Sequence, residues 1–347
     1  MRKNCLNTIS TSLFMQEDIR ISVCIPTYNK YETIEYTILS VINQSFQKWE
    51  LLIIDDSNNS YTEDIVKKHS VTDSRIKYLK NKERFGLVKN WNECIKQANF
   101  EYVYILHHDD FLMPGVFQAY NDFANENPEC GLIHSNCYYV TLPYFRKTIG
   151  KTQDRPILEK GDKAVEKVLF NNNLACSTVM IKKECYNKLG LFDESAWVSP
   201  DWEMWARIGE YYDFGHVDLI GCVVVLDNNN THLSGIEVNE FYLQQRYYYK
   251  KILTYFSENF RRDNLDLEFN AELNLKKTID SLTIQYSNMF DFKTAKIYSE
   301  KSGRNTDINL LIINIKSLLR YLFIVLFTKK KSFKQIFDLT YNKNMYK

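Results

Sequence analysis

The chain has 347 residues, enough for one large domain, a smaller appendage and a sizeable buried core. Lysine and arginine total 44 and aspartate and glutamate 43, a net charge of +1 that argues against a dedicated nucleic-acid binder, which would be clearly basic. Few Pro and Gly and many Tyr and Phe exclude a disordered chain. Eight cysteines without a C-x-x-C pair speak against a zinc or redox site and suit a cytoplasmic compartment.

Residues 1–18 read as a polar leader with no apolar run of signal-peptide length. Ile21–Pro26 is a short apolar run closed by proline, the pattern of a buried strand. Helical spacing follows, with Ile34, Ile38, Val41 and Ile42 on one face. Glu50–Asp55 is a second apolar strand, and a helix around Glu63–Lys68 and a short strand at Arg75–Leu79 come next. Gly86–Ala98 is helical on an inner face of Trp91, Cys94, Ile95 and Ala98, and Tyr102–Leu106 is a third strong strand. Strands are expected over Gly131–Val140, Ser177–Ile181 and Gly221–Leu226, and helices over Lys163–Phe170 and Asp201–Tyr211. Beyond Val238 there is no proline and one glycine, the composition of a helical region.

Alternating strands and helices predict an α/β fold with a doubly wound sheet. Ligands bind such sheets beyond the carboxyl ends of the strands. Polar groups gather at three of those ends: Thr27–Asn29, Asp55–Ser57 and Asp109–Asp110. A strand-end carboxylate can hold a divalent cation; it can equally cap the turn that follows, here D-D-F-L-M-P-G.

Five segments, in order, resemble the family 2 glycosyltransferases. They are I-P-T-Y-N (Ile25–Asn29) with L-L-I-I-D-D-S (Leu51–Ser57), F-G-L-V-K-N-W-N (Phe85–Asn92), Y-I-L-H-H-D-D-F-L-M-P-G (Tyr104–Gly115), D-W-E-M-W-A-R (Asp201–Arg207) and T-H-L-S-G (Thr231–Gly235). The resemblance implies an inverting, metal-dependent enzyme with a GT-A-type mixed sheet and flanking helices at 19–235, followed by a helical region at 236–347. It implies a nucleotide-sugar donor, commonly a UDP-sugar, and a Mn²⁺ or Mg²⁺ ion. Pro26, Tyr28, Asn29, Asp56 and, with less support, Asp55 would meet the nucleoside, with His108 and Asp109 on the donor. Asp109 would bind the metal, supported by Asp110 and His232. Asp201 would be the general base. Trp202 and Trp205 would wall the acceptor side, although their spacing on a helix suits core packing equally. The sequence departs from the family pattern at His107, where the D-x-D block begins with Asp, and at Pro200, where Glu usually precedes the base.

Leu310–Phe327 is long enough to span a bilayer, but Lys316 and Arg320 sit near its middle. Six lysines and one aspartate follow from Lys329 to Lys347. These features predict a helix lying on an anionic membrane surface through residues 310–334, or one packed on the protein. An enzyme extending a lipid-linked glycan or surface polysaccharide at the inner face of the cytoplasmic membrane fits that reading. A catalytically inactive carbohydrate-binding relative is the alternative. A nucleotidyltransferase would need a Gly-rich loop where T-Y-N-K-Y-E stands, and no G-x-G-x-x-G exists for a dehydrogenase. Loops near Asn136–Pro156 and Asn171–Ser177 are expected to set specificity.

Overall fold

The computed structural model describes residues 17–141, 146–150, 157–170, 174–196, 199–226 and 238–271, with 273, 276–277, 334 and 337–338. In chain order the first part runs β1 (Ile21–Thr27), α1 (Tyr31–Ile42), β2 (Trp49–Asp55), α2 (Tyr61–Ser70), β3 (Ile76–Lys80), α3 (Leu87–Gln97) and β4 (Tyr102–Ile105). Every residue of β1, β2 and β4 is buried, which is why these strands read as unbroken apolar runs: helices cover both faces. The α1 stripe predicted from spacing packs as expected through Ile34, Ile38 and Val41, while Ile42 is only partly buried.

The second part holds β5 (Phe111–Leu112), α4 (Val116–Glu126), β6 (Cys130–Thr141), β7 (Arg146–Gly150), β8 (Ile157–Glu159) and α5 (Asp162–Phe170). A 3-10 turn at Cys176–Thr178 leads into β9 (Val179–Lys182), then come α6 (Lys183–Leu189), α7 (Pro200–Gly209), β10 (Asp213–Leu226), α8 (Val238–Leu253) and α9 (Glu258–Asp263). Two sequence expectations change here. The strand expected from Ser177 begins as that turn, and the strand expected at Gly221 starts at Asp213.

One sheet in the order β3-β2-β1-β4-β9-β6-β10-β5 organises the described residues, with β7 on β6 and β8 on β10. β1, β2, β3 and β4 are parallel, as are β6 and β10; β9 lies antiparallel between β4 and β6. The result is a mixed, mostly parallel sheet with helices on its faces.

The helices beyond residue 238 share the core of the α/β domain. Tyr248, Tyr249, Ile252, Phe256, Leu267 and Ala271 join Trp202, Trp205, Val168 and Phe214 in one buried cluster. At the other end of the chain Phe337 seats against Phe111 and Tyr36, with ring centroids 5.2 Å from each. Among the described residues no helix is long and apolar enough to cross a membrane, and Leu310–Phe327 lies outside them.

Candidate active site

The carboxyl ends of β1, β2 and β4 meet at one edge of the sheet, where ligands bind in this architecture. After β1 the chain turns through Asn29, whose positive φ of 51° is one that Asn tolerates better than most residues. The Asn29 N–H donates to Ser57 Oγ (2.8 Å), and Asn59 Nδ2 donates to Asn29 Oδ1 (3.0 Å), so the first two strand-end loops are pinned together. Tyr28 is partly exposed and carries the Arg84 guanidinium 4.2 Å from its ring centroid. Pro26 lends its carbonyl to His108 Nδ1 (3.2 Å).

Both acids after β2 are engaged by the protein. Buried Asp55 accepts from the Ser57 N–H (2.8 Å), the Tyr78 hydroxyl (2.7 Å) and Lys80 Nζ (3.1 Å). Burial, and then the bond to Asp55, pushes the Tyr78 phenol above its ordinary range. Asp56 accepts from Asn81 Nδ2 (2.7 Å) and from the N–H groups of Phe85 (3.0 Å) and Gly86 (2.7 Å). Gly86 opens α3 at a φ of +79°, where any side chain would be strained. Asp56 therefore fixes the backbone that leads into the G-L-x-x-N-W-N helix, beside the loop that follows β2.

Asp109 and Asp110 are neighbours with opposite surroundings. Asp110 is 2 % exposed and accepts from Ser177 Oγ (2.5 Å) and the Val225 N–H (2.9 Å). Burial and then the Asp109 charge push its carboxyl well above the usual carboxylate range. Asp110 was expected to support a metal; its oxygens instead hold the Ser177 turn and β10. Asp109 is partly exposed, with His108 Nε2 3.9 Å away, and among the described residues its carboxylate makes no hydrogen bond. No group of three or more His, Cys, Asp or Glu forms a metal cage among the described residues. A single partly exposed carboxylate suits a hard cation whose other ligands are phosphate oxygens and water.

His107 stacks on Trp91 (5.3 Å between ring centroids), with Nδ1 3.7 Å from Asp110. A family-type Asp at this position would bring a second carboxylate toward buried Asp110, so the departure from the family pattern has a local physical reason.

The path of this loop is set from beneath, by residues the motif reading passed over. Thr33 and Thr37 hydroxyls donate to His108 O (2.9 and 3.0 Å), and Thr37 also to Asp110 O (2.8 Å). Ser40 Oγ accepts from the Leu112 N–H (3.0 Å), and Gln44 Nε2 donates to Met113 O (2.9 Å). Positions 33, 37, 40 and 44 form one face of α1 and its extension. Thr37, Ser40 and Gln44 are buried, and polar residues at buried-face spacing are the signal that could have found them.

Asp201 lies in the first turn of α7, just after Pro200, and accepts from the Trp202 N–H (2.9 Å). A helix amino end favours an ionised carboxylate. The Cys176 thiol is pushed up by burial and then by the charges of Asp201 and Asp110. The Tyr139 hydroxyl is pushed up by burial, by Cys137 and then by the same two acids. Asp110 and Asp201 thus both act on Cys176 and Tyr139, which lie at the end of the sheet that carries the strand-end acids.

Trp202 and Trp205, expected on the acceptor side, pack in the core. Trp202 is 4 % exposed, donates Nε1–H to Val168 O (2.8 Å) and meets Tyr249 edge-on; Trp205 is 1 % exposed and meets Phe192. Their three-residue spacing served core packing. His232 lies at 227–237, outside the described residues, as do 142–145, 151–156 and 171–173 of the expected specificity loops.

Residues 22–183 match the family model described as Glycosyl transferase family 2. An uncharacterised glycosyltransferase of Methanocaldococcus jannaschii is 26 % identical over 231 residues, 64 % of this chain and 76 % of the relative. The Escherichia coli UDP-Glc:alpha-D-GlcNAc-diphosphoundecaprenol beta-1,3-glucosyltransferase WfgD is 25 % identical over 225 residues, 65 % of this chain and 82 % of its own. The crystal structure of residues 1-349 of Staphylococcus aureus TarS in complex with UDP-GlcNAc superposes with a TM-score of 0.56 at 16 % identity, covering 82 % of this chain and 89 % of that TarS fragment, and so shares its fold. The strand order, the acid that follows the fourth parallel strand and these likenesses agree: residues 22–183 resemble glycosyltransferase family 2, and the α/β part of the chain has the GT-A fold.

Proposed function

We propose that this glycosyltransferase moves a sugar, with inversion, from a UDP-sugar to a hydroxyl of a lipid-linked or polymeric glycan. The observation that carries the reading is the gathering of polar groups at the carboxyl edge of the sheet, with partly exposed Asp109 among them, together with Asp201 on a helix amino end. The UDP-sugar donor and undecaprenol-linked acceptor in WfgD's name, and the UDP-GlcNAc bound to TarS, support the choice of donor and acceptor class.

In this reading the base stacks at Tyr28, and the walls held by Asp55 and Asp56 enclose the nucleoside. Asp109 would hold a Mg²⁺ or Mn²⁺ ion, which neutralises charge on the departing diphosphate. Asp201 takes the proton of the acceptor hydroxyl. The oxygen bonds to the anomeric carbon from the face opposite the leaving group as the bond to the diphosphate breaks. One displacement inverts the centre, and a nucleoside diphosphate is released. Work on a lipid-linked acceptor would place the enzyme at the inner face of the cytoplasmic membrane, where the basic 310–334 segment would find anionic lipid.

A donor panel tests this. The full chain with Mn²⁺ or Mg²⁺ is offered nucleotide-sugars and glycan acceptors, and released nucleoside diphosphate is recorded beside Asp109→Ala and Asp201→Asn. Metal-dependent turnover of one donor, reduced about 10²–10³-fold in each variant, is expected. Silence toward all pairs, with no thermal stabilisation by any donor, would instead indicate a carbohydrate-binding relative without catalysis.

A further inference from the structure

The helix that follows the α/β domain grips the chain on both sides of Asp201. Two residues before it, Ser199 Oγ accepts from Gln245 Nε2 of α8 (2.9 Å). One residue after it, Trp202 is held between Val168 O and the Tyr249 ring of α8. Two residues after it, Glu203 is fully buried, with Lys251 Nζ at 3.2 Å, Arg207 Nη2 donating at 2.9 Å and the Tyr255 hydroxyl donating to its Oε1. Lys251 Nζ also reaches Asp193 Oδ2 (3.3 Å), and Gln244 Nε2 donates to Ser195 O (3.1 Å), so the strap that leads into α7 is tied as well.

Burying a carboxylate among charged partners is a poor way to gain stability, because desolvation offsets the attraction between the ions. It does fix geometry: a carboxylate with three donors, from α7, α8 and the turn after α8, has one low-energy orientation. The partners of Glu203 come from α7 itself and from beyond residue 250, outside the 22–183 stretch that defines the family match. A proton acceptor misplaced by about 1 Å loses on the order of 10²-fold in rate.

We propose that Lys251 and Tyr255 are positioning residues for Asp201, acting through Glu203, so that the helical region is part of the catalytic unit. This rests on Asp201 being the general base. The test uses the full chain, the donor and acceptor found by the panel, and a temperature at which circular dichroism shows every variant folded. Lys251→Met is expected to lower kcat about tenfold with donor KM within about twofold of wild type, and Lys251→Arg to recover most of that loss. Tyr255→Phe, which keeps every charge, lowers kcat less. The double variant Asp201→Asn/Lys251→Met is expected to be no slower than Asp201→Asn alone, because both changes act on one group.

Unchanged kcat in a folded Lys251→Met protein overturns the proposal while leaving the enzyme assignment intact. A further loss in the double variant overturns it too, since Lys251 would then act independently of Asp201. Full turnover by Asp201→Asn, or none by wild type, overturns the reading of the base and the positioning role with it.

Discussion

The two ends of β2 use buried carboxylates for different ends. At its start Glu50, 4 % exposed, accepts from Ser22 Oγ (2.7 Å), from the N–H (2.8 Å) and side-chain amide of Asn99, and from Lys77 Nζ (3.1 Å). These partners join β1, β2, β3 and the α3–β4 turn, far from the strand ends where ligands bind. Just past its other end, Asp56 spends its oxygens on Asn81 and on two backbone N–H groups that open α3. The lower acid joins strands; the upper one shapes a loop at the carboxyl edge of the sheet. A buried carboxylate is thus no mark of function by itself: what matters is whether its partners face a ligand.

Three substitutions put this contrast under strain. The largest effect is expected from Asp56→Ala, which strands the Phe85 and Gly86 amides and should cost about 3 kcal/mol in urea unfolding. It should also weaken donor binding in a thermal-shift titration; loss of stability with unchanged donor affinity would make the upper acid equivalent to the lower.

Glu50→Gln is expected to cost about 1–2 kcal/mol at neutral pH with kcat and KM unchanged. Burial pushes this carboxyl up, but the bonds from Asn99, Ser22 and Lys77 outweigh it and hold it below its ordinary 4.5. Its contribution is therefore present above the unfolded value and lost as pH falls through the lower folded one. Wild type and variant should converge in stability as acid titration proceeds below about pH 4.5.

The smallest effect is expected at His134 in β6, a buried polar group of a third kind. Among the described residues neither ring nitrogen has a well-formed hydrogen bond, and the ring lies 5.0 Å from that of His216. Burial, then Lys167 and His216, hold it well below its ordinary 6.5. The folded protein cannot take the proton that the unfolded chain accepts, so this stability is full above the unfolded value and is lost as pH falls below it. His134→Leu should be neutral or stabilising by up to about 1 kcal/mol at pH 7. It should also remove up to about 1.4 kcal/mol per pH unit of acid sensitivity between pH 6 and 5, read from urea midpoints.

What the sequence disclosed follows the same divide. β1, β2 and β4 were plain because strands covered on both faces are apolar throughout. β10 was half seen: Asp213, His216 and Asp218 interrupt its first part, and its register with β6 shifts between Val217 and Cys222. β5, β7 and β8 are short, and α4 follows a Pro-Gly turn that hides its start. At the site, Asp109 and Asp201 were singled out because each sits in a motif formed by its neighbours along the chain. Thr37, Ser40, Gln44 and Ser177 escaped notice because their partners are about 70 residues distant and their polarity breaks an apolar stripe. Trp202 and Trp205 could be read either way from spacing, and only the position of Tyr249 and Phe192 separates the two readings.

The ladder from α1 to the acid loop has a consequence for how such an enzyme diversifies. Thr33, Thr37, Ser40 and Gln44 grip backbone atoms, so this part of the hold on residues 108–113 does not depend on the side chains they carry. Histidines stand at 107 and 108, and the backbone on both sides of Asp109 is held all the same. That hold rests on an uncharged threonine one helix away. A change at Thr37 would reach the carbonyls of His108 and Asp110 together, on either side of Asp109.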